Sequence, residues 1–317
     1  MVRVCYLIQT YKNPEQIYKL VKVIKKSSPN SYVLISHNYN GCILDQTPIQ
    51  NLTDVSIIEN KIKLRDFSIT QAYLDAINWL FYHQIQFDWL VNLSGQDYPT
   101  QPLPKIEKFL ANTRYDGFIQ YFDVLSPQSP WSVKVGCDRY FYQYKSLLPK
   151  DLPIEQKLIL NPLVWLLNRY QPFFRINTSS AIMFGSKSNW TPFNENFVCY
   201  GGSYFTTLSR KCVTYLHILA QTSPSLVNYY KKTLLPDESF VQTALVNNKR
   251  FKLCNDNYRY IDFQNSRHGH PQILSCKDYS SLQKENIHFA RKFDLSKDQR
   301  ILELLDERIL REKLVFT

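Results

Sequence analysis

The first hundred residues alternate short apolar runs with amphipathic stretches, and no other feature of the chain restricts its fold so strongly. The apolar runs have the length of buried strands, and the stretches between them repeat apolar residues at helical spacing. Strands that alternate with helices in this way form parallel βαβ units, so we predict an α/β domain. The ligand crevice of such a domain lies at the carboxyl ends of its strands. We predict strands at residues 2–9, 32–37, 54–58 and 87–93 and helices at residues 15–26 and 68–83.

The pattern becomes more mixed after residue 117, where strand-like pieces and helices no longer alternate regularly. No linker rich in Gly, Ser or Pro, no internal repeat and no low-complexity tract interrupts the sequence. We therefore treat residues 1–317 as a single domain with a mixed, mainly parallel sheet flanked by helices. In its second part we predict strands at residues 118–122, 180–184 and 258–263 and helices at residues 209–220, 239–247 and 296–311.

The chain is strongly basic, because 38 Lys and Arg outnumber 27 Asp and Glu and give a formal charge of +11. Such a charge favours polyanions, phosphorylated ligands or anionic lipid surfaces as partners. We do not favour nucleic acid, since the basic residues are scattered and the sequence has no zinc-finger spacing, RNP-type strand or long basic run. A nucleic-acid binder is kept as a rival interpretation, and its affinity would fall steeply with salt. The phosphates of a small ligand are the simpler expectation.

Neither a disulfide framework nor a metal site is expected from the cysteines and histidines. The seven cysteines are widely spread and odd in number, which indicates a reducing compartment. His268, His270 and Cys276 come closest to a metal cluster, but they lack the spacing of a zinc site. The sequence also contains no Asp-x-Asp pair of the kind that holds a divalent ion on a diphosphate. We therefore predict that no metal and no other cofactor is required.

The most apolar helix candidate spans residues 152–174, although polar residues interrupt it. Nowhere does the sequence contain the roughly 18 consecutive apolar residues of a transmembrane helix. We favour a helix that covers the core, and peripheral contact with an anionic membrane is the alternative.

Two short motifs in the second half combine charges that suit phosphate and proton chemistry. Arg291 and Lys292 lie between apolar anchors just before the last predicted helix, and such cations can neutralise a diphosphate. A solvated basic turn is the alternative. Asp237 and Glu238 lie where a helix N-terminus favours acidic groups, so a purely structural role is possible for both. A glutamate in reach of a hydroxyl can also act as a general base.

Five motifs, in the same order and at comparable spacing, resemble the core-2/I-branching N-acetylglucosaminyltransferase and peptide O-xylosyltransferase family, glycosyltransferase family 14. The resemblance implies a GT-A-type domain with a nucleotide-binding half at residues 1–115 and an acceptor and catalytic half at residues 116–317. It also implies inverting, metal-independent transfer of a sugar from a UDP-sugar to a glycan acceptor. The motifs are residues 7–14 (LIQTYKNP), 93–99 (LSGQDYP), 200–205 (YGGSYF), 236–243 (Pro-Asp-Glu-x-x-x-x-Thr) and 289–293 (FARKF).

The resemblance assigns roles to individual residues of these motifs. Glu238 is implied as the general base, with Asp237 as its support, and Arg291 with Lys292 as the pair that neutralises the UDP diphosphate. The residues implied in UDP binding are Thr10, Tyr11 and Asn38, and those implied in sugar or acceptor contacts are Asp97, Ser203, Tyr204 and Asp237.

Two loops depart from the family pattern. Asn38 stands where relatives often have an Asp that meets the uracil ring, and an amide can pair with uracil as well. Residues 65–68 (RDFS) replace the Trp-Gly-Gly-x-Ser of the family, where Arg65 either adds charge for the diphosphate or pairs with Asp66.

The resemblance leaves the substrates and the cellular setting open. We predict N-acetylglucosamine as the donor sugar, with UDP-xylose or a catalytically silent nucleotide- or carbohydrate-binding relative as alternatives. A cell-surface polysaccharide precursor is the predicted acceptor. Because the disulfides and anchors of the animal Golgi members are absent from this sequence, we expect a bacterial cytoplasmic protein, peripheral at the inner membrane if membrane-associated. The sequence indicates no oligomeric state.

Overall fold

The computed structural model describes residues 2–62, 66–148, 154–178, 182–264 and 270–311. The strands are β1 (Val4–Thr10), β2 (Tyr32–His37), β3 (Val55–Glu59), β4 (Trp89–Ser94), β5 (Asp97–Pro99), β6 (Gly117–Phe118), β7 (Phe122–Asp123), β8 (Tyr142–Leu148), β9 (Phe174–Asn177), β10 (Ile182–Lys187), β11 (Tyr200–Gly201), β12 (Thr207–Ser209), β13 (Leu253–Cys254), β14 (Arg259–Ile261) and β15 (Phe289–Arg291). The α-helices are α1 (Pro14–Ser27), α2 (Ser68–Tyr82), α3 (Leu103–Asn112), α4 (Val133–Tyr140), α5 (Ile154–Tyr170), α6 (Arg210–Thr222), α7 (Pro224–Tyr230), α8 (Phe240–Val246), α9 (Tyr279–Leu282) and α10 (Gln299–Arg311).

A seven-stranded sheet forms the centre of the molecule, with the strand order β3-β2-β1-β4-β12-β6-β13. Four of its neighbouring pairs are parallel, and β12 runs antiparallel to both of its neighbours. The predicted GT-A-type class, a mixed and mainly parallel sheet flanked by helices, is confirmed by this arrangement.

The elements predicted in the first hundred residues are all present. β1 and β2 are buried along their whole length, as their apolar runs predict. α1 begins at Pro14, whose fixed φ suits the first position of a helix, and it buries Ile17, Leu20 and Ile24. Lys22 and Lys26 lie on its exposed side. The amphipathic spacing of the sequence therefore correctly identified both the helix and its buried face.

Helices cover both faces of the central sheet and produce two hydrophobic cores. One core contains Ile17 of α1 and Leu305 of α10, both fully buried. The other contains Ile77 of α2 and Leu216 of α6, which are also fully buried. Since both faces are covered, the ends of the strands are the part of this sheet that a ligand can reach.

Two predicted boundaries in the second half are wrong. The single strand predicted at residues 118–122 is divided into β6 and β7, which belong to different sheets. The closing helix begins at Gln299 and not at Ser296, because the Ser296 hydroxyl donates to Asp294 at 2.7 Å and forms a local turn. The Asp298 side chain then accepts from the backbone N–H of Ile301 at 3.1 Å, which gives an N–H group in the first turn of α10 a hydrogen-bond partner.

The expectation that the helix within residues 152–174 covers the core is also wrong. α5 packs on β9 of a separate antiparallel sheet with the order β8-β10-β9. Large apolar side chains occur around most of this helix and not in one stripe, so one contact face cannot bury them all. Leu163 and Trp165 remain 54% and 59% exposed. Among the described residues, no helix combines the length and the hydropathy needed to cross a membrane.

Candidate active site

The carboxyl ends of β1, β2 and β4 meet at one edge of the central sheet. The chain continues from β1 to β2 and β3 on one side, whereas β4 lies on the other side of β1. In open α/β sheets, such a reversal of strand order opens a crevice in which ligands bind. Thr10 ends β1, Asn38 follows β2, and the turn after β4 leads to Asp97. The topology thus brings these three predicted site residues to the same edge.

Thr10 and Asn38 are tied into the loops that follow their strands. The Thr10 hydroxyl lies 2.7 Å from Nδ1 of His37, and the Asn38 N–H donates to the Thr10 carbonyl at 2.9 Å. The Asn38 side chain donates to the Ile62 carbonyl at 2.7 Å and accepts from the Asn40 N–H at 3.1 Å. Asn38 is 7% exposed. Within the described residues, its second amide hydrogen and second lone pair are left for a nucleotide base.

A group of cations lies next to the loop after β1. Lys12 stacks on the half-exposed Tyr11, with its Nζ 5.3 Å from the ring centroid. Burial lowers the pKa of Lys292, and the charges of Lys12 and Arg291 lower it further. Like charges crowded in this way are stabilised by an anion bound between them. Lys12, which the sequence analysis did not select, therefore joins the predicted pair.

Arg291 is held from two sides. Its guanidinium stacks on Phe205 at 4.1 Å from the ring centroid, and its Nε lies 3.7 Å from Oδ2 of Asp97. Asp97 is fully buried and accepts hydrogen bonds from the backbone N–H and the hydroxyl of Ser94. The structure thus places Asp97 behind Arg291, which it orients, and its assignment as a sugar contact stays a prediction.

Glu238 lies at the end of a 3-10 turn, Pro236–Glu238. Its Oε2 accepts from Nη1 of Arg139 at 2.8 Å, and 34% of its side chain is exposed. The guanidinium of Arg139 stacks in turn on Trp131, 4.1 Å from the ring centroid. Burial raises the pKa of Glu238, whereas the charge and hydrogen bond of Arg139 lower it. The carboxylate is therefore held in one orientation with part of its surface open to a substrate.

Asp237 lies beside Glu238 but in a different environment. Its Oδ1 is buried and finds no hydrogen-bond partner within the described stretches. Burial, with the neighbouring charge of Glu238, raises the pKa of Asp237 to about 7. The charge of Arg139 lowers the pKa of both carboxyl groups, but its hydrogen bond goes to Glu238.

The segment 200–206 connects the carboxylates with the cations. The Gly202 N–H donates to the Glu238 carbonyl at 2.8 Å, and the Gln242 side chain donates to the Ser203 carbonyl at 2.6 Å. A Cβ at Gly202 would lie 1.9 Å from the carbonyl oxygen of Gln120, so only glycine fits there. The same segment contains Phe205, on which Arg291 stacks. Glu238 and Arg291 are therefore positioned by one piece of backbone.

Ser203 and Tyr204 make contacts within the protein that stabilise this segment, in addition to any contact with a ligand. The Ser203 hydroxyl accepts from the Phe205 N–H at 3.3 Å and stabilises the turn. The Tyr204 ring packs edge-on against Tyr73, with centroids 6.3 Å apart, and its hydroxyl is buried. Their assignment as sugar contacts is not contradicted by these contacts, and it stays a prediction. Arg65 lies outside the described residues.

Besides Lys12, three polar residues of the site were missed by the sequence analysis. Arg139 carries no motif, and its partner Glu238 is 99 positions away in the sequence. Gln9 is 7% exposed at the end of β1, and neither atom of its amide finds a partner in the described part of the chain. Arg259 donates to the carbonyls of Asn92 and Thr206 at 3.0 and 3.3 Å, and burial lowers its pKa to about 10. For Gln9 and Arg259 the available signal was a polar residue within a strand, whereas Arg139 lies in α4.

No three His, Cys, Asp or Glu side chains come together as a metal site in the parts of the chain that are described. Of the weak candidate cluster, His268 lies outside those parts. Independence of metal stays a prediction, and Arg291, Lys292 and Lys12 are the charges that support it.

The sequence model of one protein family, described as "Branch: Core-2/I-Branching enzyme", matches residues 4–288. The chain belongs to this family. Four of the five motifs lie inside the matched range, whereas residues 289–293 follow directly after it. The recognised resemblance to family 14 glycosyltransferases is thereby confirmed.

The relatives of this core-2/I-branching family member are named for different activities. Xylosyltransferase 2 of Canis lupus familiaris is 26% identical over 254 residues, which are 74% of this chain and 24% of that protein. Beta-glucuronosyltransferase GlcAT14B of Arabidopsis thaliana is 24% identical over 297 residues, which are 92% of this chain and 59% of that protein. The chain thus spans between a quarter and three fifths of these curated relatives. A solved 4-diphosphocytidyl-2C-methyl-D-erythritolsynthase from Anaerococcus prevotii is similar over 89% of this chain and 95% of that chain, with 7% identity and a TM-score of 0.36.

Proposed function

We propose that this core-2/I-branching family member transfers a sugar from a UDP-sugar to a hydroxyl group of a glycan acceptor, with inversion and without a metal ion. One observation carries the proposal: Glu238 is partly buried, oriented by Arg139 at 2.8 Å, and still open to a substrate. A general base needs this combination of fixed geometry and access.

Glu238 acts in its ionised form and takes the proton of the acceptor hydroxyl as that oxygen attacks the anomeric carbon. Burial raises the pKa of Glu238 and makes the carboxylate more basic, while the charge and hydrogen bond of Arg139 lower that pKa. The two influences oppose each other, and a base works best when its pKa lies near the working pH. Arg139 is therefore a positioning residue for Glu238.

The leaving UDP carries the charge that develops on the other side of the anomeric carbon. Arg291 and Lys292, with Lys12 nearby, supply positive charge where that diphosphate departs. Burial lowers the pKa of Lys292, so its charge costs free energy until an anion binds. Part of this cost is recovered in the transition state, which favours departure of the diphosphate.

The donor sugar is the least constrained part of the proposal. N-acetylglucosamine is our prediction from the sequence, whereas the two relatives are named as a xylosyltransferase and a glucuronosyltransferase. A donor panel must therefore include UDP-N-acetylglucosamine, UDP-xylose and UDP-glucuronic acid.

The test measures UDP release from each donor by the purified chain with excess chelator, for wild type and Glu238→Gln. We expect one donor to be turned over, and we expect Glu238→Gln to lower that rate by about 10²- to 10⁴-fold. The exposed Glu195→Gln is the matched control and should keep the wild-type rate.

Three results would contradict parts of this proposal. Turnover abolished by the chelator would show that a metal is needed. Equal rates for wild type and Glu238→Gln would show that Glu238 is not the general base. UDP binding without turnover of any donor would favour the catalytically silent relative.

A further inference from the structure

The outer side of α5 presents a continuous apolar surface to solvent. Leu163, Trp165 and Leu166 are 54%, 59% and 46% exposed, and Tyr170 and Phe173 are 75% and 74% exposed. An α-helix advances by 100° per residue, so the four helical members lie within an arc of about 160°. We name these five residues the α5 face. Apolar surfaces of this kind commonly mark an interaction site.

The α5 face cannot turn inward, because the opposite side of the helix is fixed. The Asn168 side chain donates to the Ile176 carbonyl and accepts from the Ile176 N–H, both at 2.9 Å. This pair of bonds fastens α5 to β9. After the helix, the Gln171 side chain accepts from the N–H groups of Phe173 and Phe174 at 2.8 and 2.9 Å. The position of Phe173 beside the helix is therefore also set.

The charges around the α5 face are mainly positive, and Glu155 in the first turn of α5 is the exception within the helix. Residues 156–190 contain four basic residues and no Asp or Glu. Arg169 lies within the arc, with its guanidinium 5.2 Å from the ring centroid of Trp165, and it is exposed. Lys145 and Lys187 are exposed on the neighbouring strands β8 and β10. The acidic Asp138 nearby is already paired with Arg175 and Lys134.

We propose that the α5 face docks on the surface of an anionic lipid bilayer. Tryptophan, tyrosine, phenylalanine and leucine enter the boundary between headgroups and acyl chains, and the surrounding Lys and Arg lie among the anionic headgroups. A second copy of the chain fits less well, because a symmetric contact would bring the basic rims of two copies together. This docking is independent of the proposed transfer reaction.

The experiment is co-sedimentation of the full chain with vesicles of phosphatidylcholine, with and without phosphatidylserine. We expect binding to the phosphatidylserine vesicles that weakens with added salt, and much weaker binding to phosphatidylcholine alone. The double variant Trp165→Ser, Leu166→Ser should lower the partition coefficient at least about tenfold. A second variant, Arg169→Gln with Lys187→Gln, should reduce the preference for phosphatidylserine.

Tyr170→Ser and Tyr82→Ser form a matched pair, because the two tyrosines are 75% and 80% exposed on different helices. Tyr170→Ser should weaken vesicle binding about threefold or more, and Tyr82→Ser should leave it unchanged. Urea unfolding of each variant verifies that the fold is retained.

Several outcomes would overturn the docking proposal. These are no binding to either vesicle, equal binding to both vesicles, or equal losses for the two tyrosine variants. Light scattering measures a further outcome of this kind. If the chain is a dimer that dissociates in the Trp165→Ser variant, the α5 face binds a second copy. Unchanged vesicle binding by the double variant, with capture of a protein partner that requires Trp165, would assign it to that partner.

Discussion

The buried carboxyl of Asp237 allows a quantitative prediction about stability and pH. Its pKa is raised from the ordinary value of 3.8 to about 7, because burial and the charge of Glu238 disfavour ionisation. The unfolded chain ionises this group near pH 4, whereas the folded chain ionises it near pH 7. Stability from the neutral carboxyl is therefore complete below pH 4 and is lost as the pH rises to 7. A shift of this size corresponds to about 4 kcal/mol.

Asp237→Asn tests this directly, since an amide is similar in shape and cannot ionise. The variant should be more stable than wild type, and its advantage should grow by about 2.5 kcal/mol between pH 5 and pH 8. Urea unfolding at both pH values measures the difference, with the exposed Asp75→Asn as control. An advantage that is equal at both pH values would refute the idea that burial keeps Asp237 neutral.

Three further predictions concern the two ends of the site. Arg139→Gln removes the charge that favours the ionised form of Glu238, so kcat/KM should fall about tenfold at pH 6 and less at pH 8. Lys292→Leu should weaken UDP binding about tenfold and reduce its salt dependence, as measured by calorimetric titration. Gly41→Ala puts a Cβ 1.9 Å from the Tyr11 carbonyl oxygen, so the loop after β1 must move and KM for the donor should rise.

Conservative variants separate these effects from general damage to the fold. Arg139→Lys should keep part of the activity at pH 6, because it retains the charge. Lys284→Leu removes an exposed lysine and should leave UDP binding unchanged. Gly117→Ala meets flexible leucine side chains at 3.0 and 3.1 Å and a backbone oxygen at an ordinary contact distance of 3.8 Å, so it should leave KM unchanged. A KM equal to wild type in Gly41→Ala, or a larger loss in Lys284→Leu, would contradict the assignments.

The first hundred residues could be predicted from sequence because local patterns decide their structure. β1 and β2 are short apolar runs that are buried along their whole length, and α1 and α2 repeat apolar residues at helical spacing and bury that side. The second half is different, because its short strands are defined by partners far away in the sequence. β12, for example, is inserted between β4 and β6, and no pattern within its three residues indicates this.

The same distinction applies to the site. Glu238, Arg291 and Lys292 could be selected because they belong to contiguous motifs. Arg139 could not be selected, because its role depends on the distant Glu238 carboxylate to which it donates. Gln9 could not be selected either, because it stands out only through the absence of a partner for its amide within the described residues. The exposure of α5 was missed for a related reason. A helix candidate rich in apolar residues was expected to cover the core, whereas α5 packs on β9, where the Asn168 side chain bonds to the backbone of Ile176.

The segment 200–206 connects the two groups on which the proposed single-step displacement depends. In such a reaction, the base and the leaving group lie on opposite sides of the anomeric carbon. Gly202 at one end of the segment binds the Glu238 backbone, and Phe205 near the other end supports Arg291. The segment therefore contacts both the carboxylate proposed as the base and the cation proposed for the leaving UDP. Since one piece of backbone sets both positions, a shift in it should impair proton removal and UDP departure together, and not only one of them.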